Sequence, residues 1–210
     1  MTVLKSGWLD AVCRIRSIDL LRESKLHQFL PRSGLMLDLG SGFGHISEAI
    51  LKDAPSRQCV MIDPASSLAP KVRQRLGLRA RFFITADGAS LPFRDGTFTA
   101  AWASFVLHHT SFDTQGDILS EVARVVQPQG FFVLLEDTPQ TPREEANTLR
   151  ADRRLNFEPV GSPHYYRRVE QWRTELERHG FAIREEVEFR GVFPQVTFRP
   201  IRHTAFVCQR

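Results

Sequence analysis

The stretch Leu35-Met36-Leu37-Asp38-Leu39-Gly40-Ser41-Gly42-Phe43-Gly44 limits what this chain can fold into more than any other part of its sequence. Leu35, Leu37 and Leu39 alternate with Met36 and Asp38, but apolar residues fall on both faces, as in a strand covered on both sides of a parallel sheet. The glycines then turn the chain into the amphipathic segment 45–52, which reads as a helix. Gly40 and Gly42 permit positive φ and put no Cβ between backbone and ligand, while Gly44 allows close packing where the helix begins. Unpaired N–H groups and a partial positive charge at that helix start suit a carboxylate or a phosphate.

One position narrows the ligand class. A dinucleotide fingerprint, G-x-G-x-x-G, requires glycine at position 45, where this chain has His45. The spacing present is G-x-G-x-G, which on its own also fits a glycine turn in another Rossmann-like domain. Residues 59–63 read as a second buried strand ending in Asp63. A carboxylate at that tip can accept both hydrogen bonds of a ribose diol, with capping of the helix expected over 70–76 as its plainer role. A third strand over 80–86 leads to Asp87-Gly88-Ala89, and a fourth over 98–103 to Ser104-Phe105-Val106-Leu107-His108-His109. Asp38, Asp63 and Asp87 thus end successive strands and converge on the crevice where open α/β sheets bind ligands. A helix over 115–126, the turn Pro128-Gln129-Gly130 and a strand over 131–136 follow.

As a set, from about Leu35 to Glu136, these motifs resemble the class I S-adenosylmethionine-dependent methyltransferases, of the small-molecule, methyltransferase type 11-like kind. The resemblance implies a Rossmann-like, doubly wound α/β sheet of seven mostly parallel strands with an antiparallel edge strand, binding S-adenosylmethionine and releasing S-adenosylhomocysteine. It implies a cofactor site of Asp38, Gly40, Ser41, Gly42, Gly44, Asp63, Pro64, Asp87, Gly88, Ser104 and Phe105. In it Asp38 approaches the ammonium end, the glycines accommodate the methionine moiety, Asp63 holds the ribose and Asp87 faces the adenine amino group. The segment from Ser104 flanks the methionine half. Gln129 departs from the Pro-Gly-Gly that the family commonly has at that turn.

Composition agrees with one globular domain over residues 1–210, with 42% hydrophobic and 25% charged residues. The 28 basic and 24 acidic residues give a net charge of +4, which permits an anionic partner without requiring one. The densest basic run, Lys71, Arg73, Arg75, Arg79 and Arg81, has no interleaved aromatics and reads as a solvated helix face rather than a nucleic-acid footprint. Cys13, Cys59 and Cys208 are odd in number and far apart, so neither a disulfide framework nor a metal site is expected. With no signal-peptide pattern and no apolar run of membrane-spanning length, a cytoplasmic location is expected.

Outside the motif-bearing core, residues 1–33 are expected to form a helical cap; the resemblance implies that such a segment lies over the cofactor and substrate, which makes Trp8, Arg14 and Arg16 candidate pocket residues, with core packing for Trp8 and solvent for the arginines as the plainer roles. Residues 138–167 are polar and carry Tyr165 and Tyr166, and the resemblance implies that an insertion at this place in the fold lies on the substrate side. A helix over 168–179 stopped by Gly180 and two final strands over 187–190 and 204–208, paired antiparallel at the sheet edge, close the chain. Phe189, Phe193 and Phe198 are expected to pack, with the lining of an apolar pocket or a dimer contact as the alternatives.

The expected activity is methyl transfer to a small-molecule acceptor, by in-line attack on the sulfonium methyl in a site that mainly aligns the reactants. Trp8, Arg14, His108, Tyr165 and Tyr166 are candidate acceptor contacts and His109 the candidate base, with His108, Glu136, Asp137 and His164 as other nearby proton acceptors. The Asn/Asp-Pro-Pro-Tyr tetrapeptide of amino-directed nucleic-acid methyltransferases is missing. Rival readings are a non-catalytic cofactor-binding subunit and a nucleic-acid or protein methyltransferase.

Overall fold

In the computed structural model, which describes residues 26–83, 88–156, 163–193 and 197–210, alternate residues of the glycine-loop strand face opposite layers of helices. This strand, β1 (Gly34–Leu39), is followed by α1 (His45–Asp53), β2 (Arg57–Ile62), α2 (Ala69–Leu76), β3 (Ala80–Phe83) and β4 (Phe98–Ser104). Then come α3 (Phe112–Val125), β5 (Val126–Asp137), α4 (Pro142–Asn156), α5 (Val169–Arg178), β6 (Ala182–Phe193) and β7 (Thr197–Gln209). The strands form one seven-stranded sheet in the order β3-β2-β1-β4-β5-β7-β6. Neighbours from β3 to β5 are parallel, and β7 runs antiparallel to both β5 and β6. The expected α/β sheet is therefore present, with the antiparallel β6–β7 pairing at its edge.

Leu37, Leu39, Val60, Ile62, Ala101 and Ala103 pack one sheet face against α3 and α5 through Leu119, Val122, Trp172 and Leu176. Met36, Cys59, Met61, Ala100 and Trp102 pack the other against α1 and α2 through Ile50, Leu51 and Val72. Strand order reverses between β1 and β4, which opens a crevice at their carboxyl ends.

Several elements differ from the sequence expectation, each for a local reason. The 138–167 insertion contains a full helix, α4, whose first turn carries Pro142 and the N-terminal pattern Thr141-x-x-Glu144, with Thr141 Oγ1 accepting from Glu144 N at 3.2 Å. Its buried stripe is Asn147, Thr148, Ala151, Asp152 and Leu155, mostly polar, so no apolar period announces it. The helix α3 starts three residues before the expected 115 because Ser111 Oγ caps it, accepting from Thr114 N at 3.2 Å. Strands β6 and β7 extend well beyond 187–190 and 204–208, held by a ladder from Ala182–Gln209 to Phe193–Thr197, although Glu185, Glu186 and Glu188 obscure the strand pattern.

The basic run is not simply solvated. Arg75 donates to the Phe43 carbonyl and pairs with Glu48, and Arg79 donates to the Leu51 carbonyl at 2.7 Å, tying α2 and its exit to α1 and the glycine loop. Arg57, which sequence reading passed over, is 1% exposed and donates to the carbonyls of His27, Leu30, Pro31 and Ile50. Cys59 and Cys208 are free and buried, and burial pushes the Cys208 thiol up to about 12. Phe189 packs against the His203 ring at 5.2 Å. Trp8, Arg14, Arg16, Cys13, most of the 1–33 cap, the 84–86 end of the expected third strand and Asp87 lie outside the described residues, as do the side chains of Phe193 and Phe198. Among the described residues no helix is long and apolar enough to cross a membrane.

Gln129, at the turn into the main ladder of β5, has φ 65. A side chain in the left-handed region costs about 1–2 kcal/mol relative to the right-handed one, and glycine avoids that cost. Gln129→Gly is expected to raise the thermal midpoint by roughly 2–4 °C in a scanning denaturation, net of the lost Gln129–Gln209 contact. A lowered midpoint would show that this contact outweighs the backbone strain.

Candidate functional site

The crevice between β1 and β4 contains a cavity of about 260 Å³ lined by Leu39, Gly40, Ile62, Pro64, Val106 and His109 among others. Its glycine loop is fixed from below by β2. Gly40 N and Ser41 N donate to the Ile62 carbonyl at 2.8 and 3.0 Å, and Gly42 N donates to Asp63 Oδ2 at 2.8 Å. Asp63 Oδ1 accepts from Ala65 N at 2.8 Å, so the carboxylate both anchors the loop and caps the turn that follows. Asp63 is 8% exposed.

Two loop glycines are required for different reasons. Gly40 has φ +66, and a Cβ there would lie 2.2 Å from Val106 Cγ2, so the two strand exits touch at this point. Gly42 has φ +51, and a Cβ there would meet no atom within 4 Å, leaving room for a ligand against the backbone. The hydroxyls of Ser41 and Ser104 are buried without a hydrogen bond.

Asp38 sits below, 3% exposed, with Ser47 Oγ donating to its Oδ2 at 2.5 Å. Burial pushes its carboxyl up to about 7, the Ser47 hydrogen bond pulls the other way, and the nearby Asp63 charge reinforces the rise.

On the other side of the crevice, the chain leaving β4 is held by a carboxylate at the end of β5. Glu136 Oε1 accepts from Val106 N at 3.0 Å and Leu107 N at 2.7 Å, while Oε2 lies 2.6 Å from His108 Nδ1. Phe105, just before, has φ 56, a left-handed conformation rare for an aromatic residue, and its N–H is tied to the Leu135 carbonyl at 2.8 Å. His108 is 1% exposed. Burial alone would lower its pKa, but Glu136 and Asp152 more than offset this and raise it to about 9.

Asp152 arrives from α4, 3.4 Å from His108 Nε2, and accepts the Tyr166 hydroxyl. Asp137 Oδ1 lies 2.5 Å from His203 Nδ1. Beyond Tyr166 lies a groove of about 690 Å³ lined by Gln140, Glu145, Tyr166, Arg168 and Gln171.

The structure therefore brings Gly40, Pro64, Gly88 and His109 to one cavity, and His108 and Tyr166 to an adjoining buried polar cluster. His109 is exposed, with its ring 4.2 Å from that of His108. Tyr165 is turned away from the cluster, its N–H on the His108 carbonyl at 2.8 Å and its ring against Phe112 at 5.5 Å. Sequence reading missed Asp152 and His203. Neither belongs to a motif, and the only available signal was an acid on the unrecognised helix α4 and a histidine in the last strand.

Residues 37–134 match the methyltransferase domain family. The demethylmenaquinone methyltransferase of Chlamydia caviae is 30% identical over 131 residues, which cover 61% of this chain and 56% of that protein. The chain thus spans about half the length of the curated relatives it matches. Among solved structures, a SAM-dependent methyltransferase from Methanosarcina mazei aligns with a TM-score of 0.71 at 20% identity over 88% of this chain and 96% of that one. The Burkholderia thailandensis 1,6-didemethyltoxoflavin-N1-methyltransferase, solved with bound 1,6-didemethyltoxoflavin and S-adenosylhomocysteine, aligns with a TM-score of 0.68 at 17% identity, over 95% of this chain and 88% of that one. At these identities the structural likeness speaks for the fold.

The two glycines give a direct test of the loop geometry. Gly40→Ala combines left-handed strain with a collision against Val106 and is expected to cost about 2–4 kcal/mol in urea unfolding. Gly42→Ala carries only the strain, about 1 kcal/mol. Equal losses in the two variants would mean that contact between the strand exits contributes nothing.

Proposed function

We propose that this chain, which carries a methyltransferase domain, transfers the methyl group of S-adenosylmethionine to a small-molecule acceptor. The observation that carries the reading is the crevice at the sheet's reversal point, where an open Gly42 backbone, the Asp63 carboxylate and an apolar cavity adjoin. The residues fit the cofactor. The walls from Leu39, Ile62, Val106 and Ile118 suit an adenine, and Asp63 can accept from ribose hydroxyls through its remaining lone pairs. The unbonded hydroxyls of Ser41 and Ser104 suit the polar methionine end. The commitment of Arg75 and Arg79 to backbone carbonyls argues against a nucleic-acid acceptor.

In this reading the acceptor's nucleophilic atom attacks the methyl carbon as the carbon–sulfur bond breaks, leaving a neutral thioether. The acceptor then loses a proton. The chain contributes alignment and a partly dry cavity, and His109, exposed at the cavity, takes the proton where the acceptor does not ionise on its own. The insertion carrying α4 and Tyr166 borders the acceptor.

Calorimetric titration with S-adenosylhomocysteine tests the binding half. Wild type is expected to bind it and not NAD, and Asp63→Ala to lose at least about tenfold in affinity, since a hydrogen bond to a charged group contributes about 1.5–3 kcal/mol. The affinity also carries a pH signature. Folding raises the Asp38 pKa from 3.8 to about 7, so its protonated form contributes stability that is complete below the unfolded value and lost as pH rises through about 7. A cationic ammonium favours the ionised form, so affinity is expected to climb from pH 6 towards pH 8 and level off, and Asp38→Asn to flatten the climb. Binding of NAD alone, or a flat profile in wild type, would sink the respective assignments.

Turnover of labelled S-adenosylmethionine against a metabolite extract, with mass spectrometry of the product, tests the chemistry. Once an acceptor is identified, His109→Ala is expected to lose the acidic limb of the kcat profile near the histidine pKa while S-adenosylhomocysteine affinity stays unchanged. An unchanged profile removes His109 as the base.

A further inference from the structure

The buried cluster between the cofactor cavity and the Tyr166 groove holds a donor set that the methyl-transfer reading does not use. We propose that His108, Asp137 and Asp152 bind a divalent first-row transition-metal cation.

Each of the three residues offers one ligand atom, these atoms lie within 4.8 Å of one another, and all three residues are at most 2% exposed. His108 supplies the observation that separates this set from a mere acidic cluster. Its Nδ1 is held 2.6 Å from Glu136, which aims Nε2 at Asp152, yet Nε2 is buried and makes no hydrogen bond. The 3.4 Å from Nε2 to Asp152 Oδ2 is long for an N–H···O bond. It equals the separation of two ligand atoms about 2.1 Å from a shared tetrahedral ion. A further closure of at most about 1.4 Å, from 4.8 to 3.4 Å, brings the Asp137 carboxylate into the same shell.

Each ligand also has an orienting partner of the kind found behind protein metal sites. Glu136 holds His108, His203 Nδ1 lies 2.5 Å from Asp137 Oδ1, and the Tyr166 hydroxyl donates to Asp152. Glu136, Asp137 and Asp152 share this interior with two imidazoles, and a dication taking the place of the proton on His108 Nε2 balances more of that buried negative charge. The donors choose the class of ion. One imidazole nitrogen with two carboxylate oxygens suits Zn²⁺ or Mn²⁺ better than Ca²⁺ and Mg²⁺, which prefer all-oxygen shells, or Cu⁺, which prefers sulfur.

The test uses the whole chain, stripped with a chelator and then titrated calorimetrically with Zn²⁺ and with Mn²⁺. One equivalent of at least one of these ions per chain is expected to bind at about 10 μM or tighter, with a rise in the thermal midpoint. Asp152→Asn and Asp137→Asn, which keep side-chain volume, are expected to weaken binding at least tenfold, and Glu145→Gln, an exposed acid on the same helix, to leave it unchanged. Should an aspartate variant fail to show a cooperative melt, His108→Gln carries the same comparison. The proposal is overturned if neither ion binds stoichiometrically, or if binding is equally strong in the cluster variants, or if Glu145→Gln weakens it as much as they do. Titration of the same stripped samples with S-adenosylhomocysteine reports the cofactor reading separately, so either claim can fail without the other.

Discussion

The Glu136 carboxylate, fully buried at the end of β5, fixes the geometry on which both sides of the crevice depend. One oxygen takes the N–H groups of Val106 and Leu107, and the other holds His108. A buried anion is tolerable only when it is paired and hydrogen-bonded, and removing one partner of such a set costs about 3–5 kcal/mol. The chain leaving β4 therefore has little choice of path. Phe105 is held in a left-handed turn, Val106 is pressed against Gly40, and the His108 ring is oriented towards Asp152.

The opposite wall uses the same device with a different carboxylate. Asp63 accepts from Gly42 and Ala65, so the glycine loop and the chain after β2 are locked to each other. This gives Asp63 a structural role whether or not a ribose is bound. It also means that the turn reading and the ligand reading of this residue coexist, because each carboxylate oxygen can accept more than one hydrogen bond. Asp38 completes the wall from inside. Its raised pKa is a cost of burial that a nearby cation would offset.

The insertion between β5 and α5 changes the character of the site. As a helix it carries Asp152 to His108 and provides the acceptor for the Tyr166 hydroxyl, and the segment after it lays Tyr165 N against the His108 carbonyl. The polar cluster beside the cavity lined by His109 and the groove lined by Tyr166 is consequently drawn from β5, α4, β7 and the segments after β4 and before α5.

The parallel core, the glycine loop and the acids Asp38 and Asp63 were legible in the sequence, because each depends on local signals: strand composition, a run of glycines and an acid at a fixed place in or after an apolar segment. The residues 168–179 were legible as a helix for the same reason, with Gly180 at φ 83 as its stop. The helix α4 was not, since its buried face is polar and makes sense only against the partners that the β5–β7 end of the sheet supplies. Nor could the sequence show that Arg57 would be spent on four backbone carbonyls, or that Arg75 would close over the glycine loop while Arg79 ties to α1. Sequence by itself determined which strands are buried and where the glycine loop turns the chain out of the sheet. Only the tertiary structure decided how the buried charges pair, because Coulomb attraction and hydrogen bonding act through space between Glu136, His108, Asp137, Asp152 and His203, and no local pattern in the chain encodes that meeting.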